Sequence, residues 1–222
     1  MISIILLSFN SGNRITRSYN KIKDLMDNNN IQFELIVADD GSTDDSFDIA
    51  RKLSQETDDV IAIKLSKNYT SHYAAFAALT VANGDCATLI PDDEQQPYST
   101  LVEMYKLWLA GDKIILPYRE ARDDKWHQTL LSRLFYVTMN RLSEIELPKF
   151  GIDTWFIDRS IIEILNNQIS PRSTTTFTEI IRLGFNPTYL PYNRPLGLNE
   201  GKSRWSFKKK LKLASDIFFS SS

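Results

Sequence analysis

The chain has 222 residues, of which 42% are hydrophobic and 24% charged, and its formal net charge is −2. This length suits one sizeable domain, and the composition excludes a disordered, collagen-like or low-complexity chain. A single cysteine, Cys86, excludes an internal disulfide framework and a cysteine-based zinc cage, and two histidines, His72 and His127, argue against a histidine-rich metal site. Any metal is therefore expected to have mainly oxygen ligands.

Charge is divided unevenly along the chain. Residues 1–100 contain eight Lys/Arg and fifteen Asp/Glu, whereas residues 101–222 contain eighteen and thirteen. This asymmetry indicates different tasks for the two halves. No apolar run approaches the roughly 20 residues needed to span a bilayer. The N-terminal MISIILLS has neither a basic flank nor a small-residue cleavage site, so it predicts a buried strand and not a signal peptide.

Short β-branched runs alternate with longer amphipathic stretches. The predicted strands are Ile2–Ser8, Phe33–Ala38, Val60–Leu65, Cys86–Ile90, Lys113–Pro117, Phe150–Asp158 and Asn186–Pro191. The predicted helices lie near residues 12–28, 44–56, 70–82, 98–110, 126–142, 160–168 and 176–183. This alternation predicts an α/β fold with a mainly parallel central sheet covered by helices on both faces. Such sheets bind ligands at the carboxyl ends of their strands, so polar residues there are candidate site residues.

An acidic pair follows the second predicted strand. Asp39 and Asp40 come directly after an apolar run, where carboxylates are costly to bury unless they meet water, amide donors or a ligand. The next residues predict a turn and a helix start, with Ser42 or Thr43 as the cap and Asp44 in the first turn. The pattern fits equally a simple capped turn and a carboxylate that accepts hydrogen bonds from a nucleotide base or ribose.

A second acidic cluster, Asp92-Asp93-Glu94, follows the fourth predicted strand. Neighbouring carboxylates repel one another unless a cation neutralises them, and Mg²⁺ or Mn²⁺ prefers such oxygen ligands together with phosphate. A metal ion that bridges a diphosphate would also stabilise the charge that develops as the diphosphate leaves. The alternative is a solvated loop, but two acidic clusters at strand ends of one sheet favour a common site.

Eight segments of the chain carry a family pattern. They are Phe9-Asn10, Val37 to Asp44, Asn68-Tyr69 with Ala74-Ala75 and Leu79, Asn83 to Asp85, Gln95 with Pro97, Ser132 to Leu142, Asp153 to Arg159 and Gly201 to Ser206. In this order they resemble motifs of the family 2 inverting glycosyltransferases, which have a GT-A fold. The branch most similar to the chain contains the dolichol-phosphate mannosyltransferases and the bacterial polyprenyl-phosphate glycosyltransferases. The most specific match is Val37 to Asp44, close to the family's Val-x-Asp-Asp-Gly-Ser-x-Asp.

The resemblance implies roles for individual side chains. The residues implied in nucleotide-sugar binding are Ser8, Phe9, Asn10, Asp39, Asp40, Asn68 and Asp92, with Asp39 and Asp40 at the base and ribose. Asp93 and Gln95 would hold Mg²⁺ or Mn²⁺ on the diphosphate. Asp153 falls where the family has its acceptor-side carboxylate. Arg119 and Arg204 would pair with phosphate oxygens, for which the guanidinium group is suited.

The chain departs from the family pattern at several positions. Pro91 stands where the first Asp of an Asp-x-Asp motif is expected, so Asp92 must substitute or the site has one ligand fewer. The other departures are Ser11 for Glu, Thr70-Ser71-His72 for a Gly-centred triplet, Gln128 for a cation and Trp155 for Arg. They leave the acceptor more open than the donor, and they keep a non-catalytic nucleotide-sugar-binding protein as an alternative.

The C-terminal segment predicts a basic amphipathic helix. Its apolar residues Phe207, Leu211, Ala214 and Phe218 share one helical face, and positive charge comes from Lys208, Lys209, Lys210 and Lys212. Such a helix either lies on an anionic membrane surface or docks on the domain with a solvated lysine face.

The predicted organisation is one catalytic domain over residues 1–205, with a nucleotide-sugar half (1–118) and an acceptor half (119–205), followed by the basic helix at 206–222. The resemblance implies transfer of a sugar from a UDP- or GDP-linked donor to a polyprenyl phosphate at the cytoplasmic face of the membrane, with peripheral or juxtamembrane contact. A saccharide hydroxyl in surface-polysaccharide assembly is the alternative acceptor. Nucleic acid is not an expected partner, because the basic residues near 202–212 lack a recognition motif.

Overall fold

The computed structural model of the chain describes residues 1–94, 96–120, 152, 154–171 and 175–193. The predicted site residues Gln95, Asp153 and Arg204, the predicted helix at 126–142 and the basic segment at 206–222 lie outside these ranges. The described residues form a seven-stranded sheet flanked by six helices.

The bounds of these elements agree with most of the predicted ones. The strands are β1 (Ile2–Ser8), β2 (Phe33–Asp39), β3 (Val60–Lys64), β4 (Cys86–Pro91), β5 (Ile114–Arg119), β6 (Phe156–Asp158) and β7 (Thr188–Tyr192). The helices are α1 (Arg14–Asn28), α2 (Ser46–Glu56), α3 (Ser71–Val81), α4 (Ser99–Leu109), α5 (Arg159–Gln168) and α6 (Thr176–Arg182). The prediction of an α/β fold is confirmed.

The sheet is mainly parallel, with the strand order β3-β2-β1-β4-β6-β5-β7. At its centre β1 pairs with β2 and β4, so that Ile2 lies opposite Phe33 on one side and Cys86 on the other. Only β6 runs antiparallel to its neighbours, β4 and β5, among the described strands. The carboxyl ends of β1 to β5 therefore lie along one edge of the sheet, here called the carboxyl edge, and the opposite edge is called the amino edge.

Side chains of the strands alternate between two apolar cores. On β1, Ile4 and Leu6 face the core under α1, α2 and α4, whereas Ile5 faces the core under α3, α5 and α6. Trp155 and Cys86 are buried within these cores, and burial raises the pKa of the Cys86 thiol to about 12. None of the helices within the described residues combines the length and apolar character needed to cross a bilayer.

Two local predictions are wrong. The helix α2 starts at Ser46, and the carboxylate of Asp44 accepts the Ser46 backbone N–H at 3.1 Å, a role that was predicted for Ser42 or Thr43. The hydroxyl of Ser42 donates to Asp39 instead, because that carboxylate lies at the end of the adjoining strand. Among the described residues of the predicted strand Phe150–Asp158, pairing in the sheet begins at Phe156, and Ile152 makes an isolated bridge with Tyr118.

A polar cluster closes the amino edge. The carboxylate of Glu34 is 7% exposed, and it accepts hydrogen bonds from Ser3 Oγ at 2.6 Å, from both nitrogens of Asn83 at 2.6 and 3.1 Å, and from the N–H of Gly84 at 3.2 Å. A Cβ on Gly84 would lie 2.6 Å from the backbone nitrogen of Ser3, so the loop before β4 packs directly on β1. These four residues, the amino-edge cluster, satisfy one another's polar groups.

Candidate functional site

Four loops leave the carboxyl edge, and each contains a residue with positive φ. They are the β1 loop (residues 9–13), the β2 loop (40–45), the β3 loop (65–70) and the β4 loop (92–98), with Asn10 (φ 50°), Gly41 (φ 72°), Thr70 (φ 96°) and Glu94 (φ 53°), respectively. Residues other than glycine rarely adopt such conformations, and those that do cluster at binding and catalytic sites. The backbone therefore marks this edge as the candidate site before any side chain is considered.

The β1 and β2 loops are joined by hydrogen bonds. Asn10 donates its N–H to Ser42 Oγ at 2.9 Å and accepts the N–H of Thr43 on its side-chain oxygen at 3.1 Å. Ser11 donates its N–H to Ser46 Oγ at 2.7 Å. The ring of Phe9 is 42% exposed beside this junction. The predicted nucleotide-binding residues Phe9 and Asn10 are thus held on a rigid support.

Asp39 holds the β2 loop that follows it, and Asp40 holds the neighbouring β3 loop. Asp39 is 1% exposed and accepts the N–H and the hydroxyl of Ser42. Asp40 accepts the N–H groups of Tyr69 and Thr70 at 2.8 and 3.0 Å. Burial raises the pKa of the Asp40 carboxyl, and the two N–H donors only partly offset this. Both carboxylates therefore shape the site through protein donors, a role that the sequence did not reveal.

Gly41 and Thr70 explain how the β2 and β3 loops meet. A Cβ on Gly41 would lie 2.4 Å from the carbonyl carbon of Lys67 and 2.7 Å from the nitrogen of Asn68, so only glycine fits there. Thr70 has φ 96° and ψ 158°, a region that essentially glycine alone occupies without strain. The family pattern has its Gly-centred triplet here, and the structure keeps the glycine conformation although the residue is threonine.

The β3 loop also carries exposed aromatic and basic groups that sequence analysis missed. The Tyr69 ring is 39% exposed, and Lys67 Nζ lies 4.9 Å from its centroid. The predicted residue Asn68 lies between them and is exposed. The signal was present in the sequence as the run Lys67-Asn68-Tyr69 immediately after a strand.

Cationic side chains of helix α1 pair with the acidic β4 loop. The sequence instead predicts that a divalent cation neutralises this loop. Asp92 is 5% exposed, accepts a hydrogen bond from Ser11 Oγ and pairs with Arg14 Nη2 at 2.9 Å. Glu94 pairs with Arg17 Nε at 3.0 Å and with Lys21 Nζ at 2.5 Å. These three cations are spaced by three and four positions, so they share one face of the predicted helix.

A divalent ion fits this loop only if the ligand supplies part of its coordination. Within the described residues no group of three or more His, Cys, Asp or Glu side chains could hold an ion. Asp92 and Glu94 are engaged by α1, and the half-buried Asp93 lies between them. Mg²⁺ in nucleotide sites commonly uses one or two carboxylates, water and phosphate oxygens. The residues present fit an ion of that kind and do not fit one enclosed by protein.

Buried polar atoms without a protein partner concentrate at the same edge. Within the described part of the chain, three buried side-chain atoms lack a hydrogen-bond partner: Ser8 Oγ, Gln96 Oε1 and Arg119 Nε. Ser8 ends β1, Gln96 lies in the β4 loop and Arg119 ends β5. Unsatisfied buried groups are rare in native structures and require an explanation such as a ligand. Their placement around one loop cluster supports a polar or anionic ligand there.

The family and its relatives are consistent with this geometry. A model of "Glycosyl transferase family 2" matches residues 3–165. The uncharacterized glycosyltransferase YkcC of Bacillus subtilis (strain 168) is 26% identical, over 96% of this chain and 66% of that protein. An undecaprenyl-phosphate 4-deoxy-4-formamido-L-arabinose transferase of Pseudomonas syringae pv. syringae (strain B728a) is 24% identical, over 83% of this chain and 54% of that protein. The chain thus spans roughly half to two thirds of these relatives.

A solved structure shows the same fold. Glucosyl-3-phosphoglycerate synthase from Mycobacterium tuberculosis, in complex with Mn²⁺, UDP and phosphoglyceric acid, superposes with a TM-score of 0.63 at 17% identity, over 99% of this chain and 76% of that one. The predicted GT-A fold is therefore confirmed, as is the prediction of a glycosyltransferase at the level of the family. With the family model covering well over half of its length, the chain belongs to glycosyltransferase family 2.

Proposed function

We propose that the chain transfers a sugar from a UDP- or GDP-linked donor to a polyprenyl phosphate, with inversion at the anomeric carbon. The observation that carries this proposal is that Ser8, Gln96 and Arg119, which lie at the ends of β1 and β5 and in the β4 loop, have buried polar atoms without a partner among the described residues. A nucleoside diphosphate offers base, ribose and phosphate groups that could satisfy such atoms. Membership of the family supplies the reaction class.

The donor side is proposed to lie on the β1, β2 and β3 loops. Phe9 and Asn10 would contact the base, with Asp39, Asp40 and Asn68 around the base and ribose. The exposed Phe9 ring and the rigid hydrogen-bonded junction behind it support this arrangement. Ser8 Oγ would donate to the nucleotide, since Ser8 lies in register with Asp39 on the neighbouring strand.

The diphosphate is proposed to carry a Mg²⁺ or Mn²⁺ ion held by Asp93 and Gln95, with Asp92 close to the donor. When bound, the ion would offset charge on the departing diphosphate. The single solved neighbour described above contains Mn²⁺ together with UDP, which supports the choice of metal class. The protein's own contribution is the α1-supported loop that presents Asp93.

The acceptor side is proposed to include Arg119, Asp153 and Arg204. Arg119 ends β5, and its buried Nε lacks a partner within the described residues, as expected of a guanidinium that receives an anion. The residues that flank Asp153 support its role, because Ile152 bridges Tyr118 and Thr154 donates to the Leu89 carbonyl, near the carboxyl ends of β5 and β4. A phosphate acceptor is already anionic near neutral pH, so Asp153 would orient it.

We further propose the division into a nucleotide-sugar half (1–118), an acceptor half (119–205) and a basic segment (206–222) that contacts the cytoplasmic face of the membrane. The acceptor in a related protein's name, undecaprenyl phosphate, supports a membrane-borne acceptor. Replacement of Lys208, Lys209 and Lys210 by Gln should weaken binding to anionic liposomes but not to neutral ones. Equal binding by the substituted and unsubstituted chains would contradict this membrane contact.

The first experiment is thermal unfolding with UDP, GDP and their sugar conjugates, in Mn²⁺ and in EDTA. A ligand that binds the native state raises the melting temperature by mass action. At a ligand concentration of 100 Kd, the free energy of unfolding increases by about 2.7 kcal/mol. We expect a metal-dependent rise with one nucleotide, and we expect Asp93→Ala to remove its metal-dependent part. Asp48→Ala, on the exposed face of α2, is the matched control.

The acceptor is tested by offering the labelled donor sugar to a short-chain polyprenyl phosphate and, separately, to oligosaccharides. Transfer to the lipid phosphate supports the proposal. Asp153→Asn should then slow transfer without changing the shape of the pH profile. Transfer to a saccharide hydroxyl would overturn the proposed acceptor and make Asp153 a general base, in which case Asp153→Asn should remove the acid-side limb of the pH profile. Nucleotide binding without any transfer would favour the non-catalytic alternative.

A further inference from the structure

Arg14 joins two loops of the site. Its Nε lies 3.2 Å from the carbonyl of Ser11, and its Nη2 lies 3.0 Å from the carbonyl of Asn10 and 2.9 Å from Asp92 Oδ2. The hydroxyl of Ser11 donates to the same carboxylate oxygen. The β1 loop and the β4 loop are therefore held together through one guanidinium and one buried carboxylate.

The rest of α1 balances the charge of the β4 loop without reaching the β1 loop. Arg17 and Lys21 both pair with Glu94, whose backbone has a positive φ of 53°. Three cations of the helix thus pair with Asp92 and Glu94, two of the three acidic residues that follow β4. Since protein groups neutralise this loop, an arriving divalent ion is not needed to hold it in place, and its charge can act on a bound phosphate.

We propose that Arg14 is a positioning residue that holds the β1 and β4 loops in the arrangement that binds the nucleoside diphosphate together with its divalent ion. The inference rests on the proposed function, in which the β1 loop contacts the nucleoside and Asp93 of the β4 loop holds the ion. One ligand must then meet both loops at once, and its affinity depends on their mutual position. Arg14 fixes that position in advance, so neither ligand has to order the loops.

The chain offers a matched control for the bridge. Arg14→Met removes the contacts to Asn10, Ser11 and Asp92, and Arg14→Lys keeps the charge but not the forked geometry. Arg17→Met removes another α1 cation from the same acidic loop but breaks no contact with the β1 loop. Arg51→Met removes an exposed cation on α2, far from both loops in the chain. Comparison of the Arg14 and Arg17 variants therefore separates the effect of the loop-to-loop contact from the effect of losing a positive charge.

The experiment is calorimetric titration of UDP and of GDP into each variant, with Mn²⁺ and without it. The dissociation constants of each variant are compared with those of the wild type. We expect Arg14→Met and Arg14→Lys each to weaken nucleotide binding in Mn²⁺ by about tenfold, because the nucleotide must then order the two loops itself. Arg17→Met should retain most of the affinity, and Arg51→Met all of it. Asp92→Asn should resemble Arg14→Met, and the double variant should be no worse, because both substitutions break one link.

A second readout needs no ligand. In hydrogen exchange of the free protein, Arg14→Met should raise exchange in both the β1 and β4 loops, whereas Arg17→Met should raise it in the β4 loop alone. Unchanged nucleotide affinity in Arg14→Met, or an equal loss in Arg17→Met, would overturn the inference and leave the proposed function standing. A wild-type protein that binds neither nucleotide, with or without Mn²⁺, would overturn the proposed function and this inference together.

Discussion

The two edges of the sheet hold buried carboxylates in opposite circumstances. At the amino edge, Glu34 is surrounded by donors from Ser3, Asn83 and Gly84, and the cluster is closed. At the carboxyl edge, Asp39, Asp40 and Asp92 are also bonded, but three buried polar atoms of the same edge have no partner in the part of the chain that the structure describes. The first edge is built for stability alone. The second keeps polar capacity that a ligand can use.

The comparison teaches how the same fold separates stability from binding. Parallel strands end together, so both edges gather loops and both attract polar residues. What distinguishes them is whether each buried group is satisfied by the chain itself. Substitutions of the same type at the two edges should therefore have similar or larger structural costs at the amino edge, and binding costs only at the carboxyl edge.

The largest expected effect is that of alanine at Gly41 or Gly84. An added Cβ would meet backbone atoms at 2.4 Å in the first case and 2.6 Å in the second, so each variant should lose about 3 kcal/mol of stability in urea unfolding. Only Gly41→Ala should weaken nucleotide binding, because only it displaces the β3 loop. Gly184→Ala is the control for positive φ, since nothing lies within 4 Å of its Cβ, and it should cost about 1 kcal/mol.

Two serines on β1 give the next effect. Ser3→Ala removes a hydrogen bond to Glu34 and the acceptor of the Gly84 N–H, and it should cost about 2 kcal/mol. Ser8→Ala removes a buried hydroxyl without a protein partner, and it should leave stability unchanged or raise it by about 0.5 kcal/mol. Urea unfolding and nucleotide titration of both variants test this. We expect weaker nucleotide binding in Ser8→Ala only. Weaker binding in Ser3→Ala, or a loss of stability in Ser8→Ala, would contradict the proposed difference between the amino and carboxyl edges.

A smaller effect is expected at Thr70, which holds a glycine conformation. Thr70→Gly should stabilise the protein by about 1 kcal/mol, because relief of roughly 1–3 kcal/mol of strain exceeds the added entropy of the unfolded chain. The same substitution at the exposed Thr80 within α3 should destabilise by about 0.5 kcal/mol, because glycine is a poor helix former. Thermal unfolding of the two variants gives opposite signs if Thr70 is strained.

The pH dependence of stability should also differ in sign between the edges. For Asp158, beside the amino edge, burial alone would raise the pKa, but hydrogen bonds from Ser160 and Trp108 outweigh it and lower the pKa below 3.8. Its stabilisation is present above the unfolded pKa and is lost as pH falls through the folded one. For Asp40, with a raised pKa, the contribution is present below 3.8 and is lost as pH rises through the folded value.

The measurement is urea unfolding of the wild type, Asp158→Asn and Asp40→Asn between about pH 3 and pH 6. The stability difference between wild type and Asp158→Asn should shrink as pH falls. The difference between wild type and Asp40→Asn should grow over the same range. If both stability differences change with pH in the same direction, the opposite pKa shifts of Asp158 and Asp40 are contradicted.

Much of the fold was predictable, because local pattern and strand polarity determine it. The buried runs of β1 and β2, and the amphipathic stretches between them, indicated a parallel sheet. The acidic pair at Asp39 and the cluster at Asp92 then followed from the rule that ligand loops gather at strand ends. These predictions needed only neighbours in sequence.

The partners of those acidic residues were not predictable in the same way. Arg17 and Glu94 are 77 positions apart, and Glu34 and Asn83 are 49 apart, so their pairing depends on strand order and register. The predicted cap of α2 was wrong for a local reason, because the turn that Ser42 makes with Asp39 delays the helix to Ser46, and Asp44 then accepts the Ser46 N–H. Sequence showed where charge gathers, and only the tertiary structure showed what neutralises it.

The antiparallel strand β6 also shapes the order in which the molecule can be completed during synthesis. The free side of β4 pairs with Phe156–Asp158, and Cys86 lies opposite Asp158. While a ribosome produces the intervening segment, β1 to β4 can associate, but β4 stays at the margin of a half-built sheet. An uncovered strand of this kind attracts other strands and promotes aggregation. Because β5 joins the sheet through β6, the acceptor side of the proposed enzyme is completed only after this three-residue strand docks.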